Sequence, residues 1–413
     1  MERFLCDLAW NHLSIHPHGT ASICCAAKHS NGASMAKNEG VNLGVRDGVE
    51  KIINSDTYKD IRLTMLKGGV PDACEGCHKV EQVGGKSKRL KDSTFQMNFD
   101  ALTSEDGSIK PNLTNVELRL GNFCNLKCRS CNAESSTSWI TDYYKLKDKV
   151  PLPSEYDAVK NSPDTDYTWV EKEEFYDDVI ANSSMLDVLH ISGGEPFLAT
   201  KHFYLLEKLI KQGNTNIKVF YITNANWDFE RIKPALKLLT NFRQVFISFS
   251  IDDVGERNTY IRSQSNWELT ISNIKKMVIQ YPNFAYSITQ TINAYNFLYV
   301  EELTQFLIKE DLYVIGKFKP IYTVQLNHVH SPDYQNANVL PKEIRQKKLD
   351  SIKGLMPENN WQELYGRYYN GEENGQIELF KKVTDAVDEV RGEKFKETFK
   401  ELNDLLKFEN KLI

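Results

Sequence analysis

From about residue 113 onward, short runs rich in β-branched and aromatic residues alternate with longer stretches whose apolar positions recur at helical spacing. The runs at residues 116–120, 188–192, 218–223, 245–251, 284–291 and 314–319 read as strands. The amphipathic stretches at 202–212, 229–239, 267–281 and 300–309 read as the helices that cross between them. Six such units predict an α/β fold with a parallel sheet, either an open doubly wound sheet or a partial barrel. In both, ligands collect at the C-terminal ends of the strands. The first crossover, residues 132–187, is long and interrupted by prolines at 151, 153 and 163, which predicts an irregular insertion.

The flanks follow other patterns. A helix is expected over residues 48–67, between two groups of cysteines, and a Gly- and Asn-rich loop over 29–40. The segment 79–112 is basic and then polar, and Glu105-Asp-Gly-Ser108 with Pro111 marks a boundary. Beyond about residue 330 the chain is charged and helix-prone, most clearly at 378–390 and 394–406. The expected domains are 1–112, 113–325 and 326–413.

Composition removes several classes of function. The 413 residues carry 51 Lys plus Arg against 56 Asp plus Glu, a net charge of −5, which argues against disorder and against nucleic-acid binding driven by net charge. No stretch approaches the roughly 18 apolar residues of a membrane-spanning helix, and the N-terminal residues lack a signal-peptide core, so a cytoplasmic protein without a membrane partner is expected.

The eight cysteines are too few and too clustered for a disulfide scaffold. Thiols at short spacing in a reducing compartment hold a soft metal or an iron–sulfur cluster. The central group is Leu118-Arg-Leu-Gly-Asn-Phe-Cys124-Asn-Leu-Lys-Cys128-Arg-Ser-Cys131, placed directly after the first strand of the alternating region. Three thiolates can fix a [4Fe–4S] cube and leave one iron open for a cosubstrate. Zinc with a further ligand is the alternative, although the triad continues in no second knuckle.

This Cx3Cx2C loop resembles the signature of the radical S-adenosylmethionine (radical SAM) superfamily, and the resemblance extends from about Asn115 to Tyr322. His190-Ile-Ser-Gly193-Gly194-Glu195-Pro196 resembles the family's GGEP motif, which contacts the SAM amino group; glycines there let the backbone approach the ligand. Tyr221-Ile-Thr-Asn224 is similar to the family's TN turn, and Phe249-Ser250-Ile-Asp252 to its S-x-D element. Arg262 matches the arginine that clamps the methionine carboxylate in peptide-modifying members, a task suited to two parallel guanidinium hydrogen bonds. Asn296 is a weaker match after the fifth strand. Ser130 departs from the pattern, since an aromatic residue commonly precedes the third cysteine and packs near the adenine.

Of the other cysteines, Cys6 and Cys24 flank a hairpin pattern and Cys74-Glu-Gly-Cys77 supplies two more. The set resembles the SPASM and twitch extensions of radical SAM enzymes, which bind auxiliary [4Fe–4S] clusters; the resemblance implies Cys6, Cys24, Cys74 and Cys77 as ligands, with Cys24 preferred over its neighbour Cys25. The segment from Glu81 to Arg89 is also similar to an N-terminal twitch group, whereas Gly84-Gly-Lys86-Ser87 is no P-loop, because Val80 stands where a glycine is needed. A structural zinc is the alternative for this domain. His12, His16, His18 and His78 are candidate ligands, with exposed loop positions as the competing expectation.

Together these readings imply a partial (βα)6 TIM-like barrel with a small N-terminal Cys-rich domain and a helical C-terminal segment. The resemblance implies an enzyme that reductively cleaves SAM to a 5′-deoxyadenosyl radical and abstracts hydrogen from a substrate. The cofactors are then SAM, its [4Fe–4S] cluster and an auxiliary [4Fe–4S] cluster, and the partners an electron donor such as flavodoxin or ferredoxin. A peptide or protein substrate is expected, a small molecule such as an aminosugar or nucleotide is the alternative, and a zinc-binding scaffold is the non-enzyme reading.

Overall fold

The computed structural model describes residues 3–27, 35–82, 84–152, 165–313 and 321–409. The chain divides into two compact units: Met1–Phe123, Asn161–Tyr221 and Lys233–Val245 form the first, and Cys124–Lys160, Ile222–Ile232 and Phe246–Ile413 the second.

In the first unit, strands β1 (His12–Ile15) and β2 (Ala21–Ser22) form the expected hairpin. β1 also pairs in parallel with β3 (Asn115–Leu120), which pairs in parallel with β4 (Val188–Gly193), and β4 with β5 (Lys218–Thr223). Alternation sorts the side chains. Leu13, Ile15, Val116, Leu118, Leu189, Ile191, Val219 and Tyr221 lie on one buried apolar face, and Ser14, Glu117 and His190 lie on the other. Crossover helices such as Glu173–Ala181 and Phe203–Lys211 present buried aromatic and leucine side chains.

The helix expected over 48–67 is two helices, Val49–Ile53 and Asp56–Leu66. Ser55 caps the second by accepting from Tyr58 N, and the Asn54 amide bonds both the N and the O of Ile109 at 2.9 Å. That cap and tether end the first helix where periodicity alone would continue it.

In the second unit, residues 246–250 of β6 (Gln244–Ser250) pair in parallel with β7 (Ala285–Ile292), and β8 (Ile321–His328) is parallel to β7. Helices Phe229–Leu239, Trp267–Gln280 and Val300–Lys309 supply the crossovers within a residue of the bounds expected from sequence. The strand expected at 314–319 lies outside the described residues. The last strand of the series is Ile321–His328, in which Val324 is buried and Gln325 exposed. Six parallel βα units in chain order are the connectivity expected of the partial (βα)6 barrel.

The C-terminal helices Glu358–Tyr368, Ile377–Arg391 and Lys400–Glu409 pack in the same apolar core as Trp139, Tyr260, Tyr295, Phe380 and Phe399. The helix expected over 394–406 breaks at Phe399, which is fully buried in that core between Phe395–Thr398 and Lys400–Glu409. Among the described residues no helix is long and apolar enough to cross a membrane.

Candidate cluster and cofactor sites

β3 ends at Leu120, and the chain then enters the cysteine loop. Its backbone is held at nearly every step. Ser138 Oγ donates to Cys124 O at 2.8 Å, Ser136 Oγ to Leu126 O at 2.5 Å, and Trp139 Nε1 to Cys128 O at 2.7 Å. Lys127 N donates to Ser263 O at 3.1 Å and Arg129 N to Ile261 O at 2.7 Å. These anchors gather the three thiols within one loop. A hydrogen bond from Cys131 draws the Cys128 thiol below its ordinary range, with help from Arg262, and the same bond with burial pushes Cys131 up. Arg262 Nη1 lies 3.7 Å from Cys128 Sγ, and Asn224 Nδ2 lies 3.9 Å from Cys124 Sγ. Three thiols with a cation beside them suit an anionic cluster. Among the described residues no three His, Cys, Asp or Glu side chains already stand at metal-ligand spacing.

Arg262 is not a surface side chain. It is 13% exposed, and its Nε lies 2.9 Å from the carboxylate of Asp252, which is fully buried. Asp252 also accepts from Thr291 N at 2.9 Å, and its carbonyl accepts from Asn296 Nδ2 at 2.7 Å, so Asn296 braces the turn that carries Asp252. Ser250 is the last residue of β6 and pairs with Thr289. Asn224 donates to Asn125 Oδ1 at 2.9 Å and accepts from Asn226 N at 2.8 Å.

The Gly193–Pro196 turn belongs to the first unit, and its glycines meet a second physical requirement, one within the chain itself. A Cβ on Gly194 would stand 2.3 Å from Phe123 O, and one on Gly193 2.4 Å from Leu120 N, with Gly193 at φ +122. The close approach is to the chain entering the cysteine loop, to which Gly194 N and Glu195 N also donate, at Gly121 O and Phe123 O. Glu195 is fully buried and accepts from Phe197 N at 3.2 Å, so it caps the short helix begun by Pro196.

Cys6, Cys24, Cys74 and Cys77 line one cavity, together with Phe4, Met65 and Arg89. Cys25 is not among its lining residues; its thiol bonds to its neighbour Cys24 and to Glu117. Burial raises Cys6 and pushes Cys74 up to about 12. All eight cysteines are free. Four thiols facing one cavity are a donor set that fits a four-thiolate cluster. The histidines do not share that cavity, and two of them correct the expectation of exposed positions, because His12 is 2% and His16 9% exposed. Arg89, in the segment singled out after Cys77, pairs with Glu81 at 2.5 Å and lies 4.3 Å over the Phe4 ring, a wall of the same cavity.

Two features escaped the sequence reading. Ser130 lines a cavity of about 520 Å³ with Thr291, Leu326, His328 and His330, beside the third cysteine. Arg129, between two cysteines of the motif, is fully buried among acidic residues of the C-terminal segment. A lone arginine carries no such signal; its place between Cys128 and Cys131 was the only available clue.

Comparison with known proteins adds the following. Residues 118–304 match the family described as the radical SAM superfamily, and residues 6–78 match SPASM, the iron–sulfur cluster-binding domain. A radical SAM domain uses a [4Fe–4S] cluster and SAM, and a SPASM domain adds a further iron–sulfur cluster. No curated protein matches the chain. Among solved structures, native anSMEcpe with bound AdoMet is 16% identical over 57% of each chain, with a TM-score of 0.39. SuiB of Streptococcus suis is 14% identical over 73% of this chain and 63% of its own, with a TM-score of 0.36. TYW1 with a lysine-pyruvate adduct is 15% identical over 57% of this chain and 71% of its own, with a TM-score of 0.30.

Proposed function

We propose, on the premise that this chain belongs to the radical SAM superfamily and carries a SPASM-type iron–sulfur domain, that it abstracts hydrogen from a peptide or protein substrate to modify it. The observation that carries this reading is the loop that gathers the thiols of Cys124, Cys128 and Cys131 beside the guanidinium of Arg262. When bound, the cluster and SAM supply one electron and a 5′-deoxyadenosyl radical.

The chain's own residues would divide the work as follows. Cys124, Cys128 and Cys131 hold the cluster. Arg262, kept in place by Asp252, presents positive charge to the thiolates and to the carboxylate of SAM. Asn224 and Ser250 would receive part of the remainder of the cosubstrate, and the cavity beside Ser130 leaves room for a flat base without the usual aromatic partner. Cys6, Cys24, Cys74 and Cys77 would hold the auxiliary [4Fe–4S] cluster. A flavodoxin or ferredoxin would donate the electron. The peptide class rests on the SPASM resemblance, whose members act mainly on peptides.

Anaerobically reconstituted protein given SAM and dithionite should form 5′-deoxyadenosine, and Cys128→Ala protein should form none. Retained cleavage in that variant overturns the reading. Transfer of deuterium from labelled candidate peptides into 5′-deoxyadenosine identifies the substrate class, and transfer from a metabolite pool alone overturns the peptide assignment.

A further inference from the structure

The first unit carries a polar sheet face that the proposed cluster chemistry does not use. Strand register aligns Ser22, Ser14, Glu117, His190 and Phe220 in one row across β2, β1, β3, β4 and β5. Directly opposed residues project to the same side of a sheet, so these side chains share one face. His12, two residues before Ser14 and opposite Asn115, stands on that face one row away.

Among the described residues, several buried polar atoms on this face lack partners. Ser14 and Ser22 are fully buried and His12 is 2% exposed, yet among the described residues Ser14 Oγ, Ser22 Oγ and His12 Nε2 have no hydrogen-bond partner. Groups of this kind are rarely left unpaired in native proteins, because each has lost its water without replacement. Their polarity is determined. His12 Nδ1 lies 3.1 Å from both the O and the Oδ1 of Asn115, two acceptors, so Nδ1 carries the proton and Nε2 offers a lone pair. The serine hydroxyls can donate.

Charge on and around the face is already balanced. Glu117 pairs with Arg119 at 3.2 Å, and Lys88 with Asp92 at 2.6 Å. Burial acts to raise the Glu117 carboxyl, but Arg119 and a hydrogen bond from the Cys25 thiol outweigh it and keep it below the usual range. Burial brings His190 down to about 4, so it is neutral at pH 7. A charged ligand would have to disrupt one of these pairs, whereas a neutral group with one donor and one acceptor complements the open atoms. His190 and Phe220 stack at 4.5 Å and 20°, a flat wall suited to a planar group.

We propose that this face binds a planar amide of the substrate, a peptide unit or a carboxamide side chain, which donates to His12 Nε2 and accepts from Ser14 Oγ. The inference rests on the radical SAM reading only in calling the amide the substrate's, since β3 and β4 run on into the cysteine loop and the Gly193–Pro196 turn.

The test uses the full chain with ¹⁵N-labelled histidine and three small probes of similar size: propionamide, propionate and propylammonium. Propionamide should shift the His12 Nε2 resonance saturably, with the two ions weaker by about tenfold or more. Ser14→Ala, a near-isosteric change checked by its melting temperature, should weaken propionamide by about tenfold. An equal or stronger response to either ion, no saturation by about 100 mM propionamide, or unchanged affinity in folded Ser14→Ala protein overturns the proposal. SAM cleavage by the same wild-type sample separates the two failures. Cleavage without amide binding removes this subsite alone, and amide binding without cleavage removes the radical SAM reading alone.

Discussion

The guanidinium of Arg129 is ion-paired with the carboxylate of Asp388, a partner 259 residues further along the chain. The same Nη2 lies 2.6 Å from Glu393, and the guanidinium stacks 3.7 Å over the ring of Tyr260, whose hydroxyl donates to Asp388 at 2.7 Å. A parallel chain of contacts joins Lys127 to Asp142 at 3.0 Å and Asp142 to Arg391 at 2.7 Å. Two residues of the cysteine loop are thus tied, directly or through one carboxylate, to the end of the Ile377–Arg391 helix. The C-terminal segment is therefore part of the support of the cysteine loop.

Breaking that support should cost the cluster its seat. Arg129 is 2% exposed, and removing the partners of a buried charge costs about 3–5 kcal/mol. An Asp388→Asn/Glu393→Gln protein is expected to lose iron at the Cys124 loop and cleave SAM poorly, while keeping the N-terminal iron. Arg129→Lys should not restore function, because a single ammonium cannot replace the planar fork shared between two carboxylates. Iron content and the electron paramagnetic resonance signal of the reduced cluster are the measurements.

Arg262→Ala should weaken SAM binding by about 1.5–3 kcal/mol, the range for a lost charge-assisted bond. The structure adds a second effect. Asp252 loses its ion-pair partner while fully buried, so the melting temperature should fall as well. A double Arg262→Ala/Asp252→Asn variant should recover much of the stability but not the SAM affinity. Recovery of both would show that Arg262 acts only through Asp252.

Removal of the auxiliary cysteines should be selective. Cys74 and Cys77 line the N-terminal cavity with Cys6 and Cys24, all in the first unit. A Cys74→Ala/Cys77→Ala protein should lose about half its iron, one of two equal clusters, and keep 5′-deoxyadenosine formation. Cys25→Ser should retain all of its iron. Iron loss in Cys25→Ser protein, or stoichiometric zinc in the wild type, is the contrary result.

Stability should fall on mild acidification. His202 is buried, its Nδ1 donates to Ala199 O, and its Nε2 accepts from Tyr221 OH at 2.7 Å. Burial lowers it to about 4. An imidazolium would point a second donor at a hydroxyl that already donates. The folded state therefore disfavours the proton, so the stability contribution is whole above the unfolded pKa of about 6.5 and is lost as pH falls toward 4. The expected loss is about 3 kcal/mol over that window, and His202→Gln should flatten it. Urea unfolding at pH 7 and pH 5 should show about 2 kcal/mol of that loss.

The sequence by itself determined the order of the βα units, the Cx3Cx2C loop after the first of them and the grouping of the outlying cysteines, because periodicity and spacing are local properties of the chain. The four crossover helices end within a residue of their expected bounds for the same reason. Only tertiary structure decided that Cys24 and not Cys25 lines the N-terminal cavity, since the choice depends on which side of the chain meets Cys74 and Cys77. It also decided that Gly193 and Gly194 yield to the backbone of the cysteine loop, and that Arg129 finds its acids near the other end of the chain. Each of these is a contact between residues far apart in sequence, and no local pattern encodes the partner of a buried charge or the atom a missing Cβ would strike.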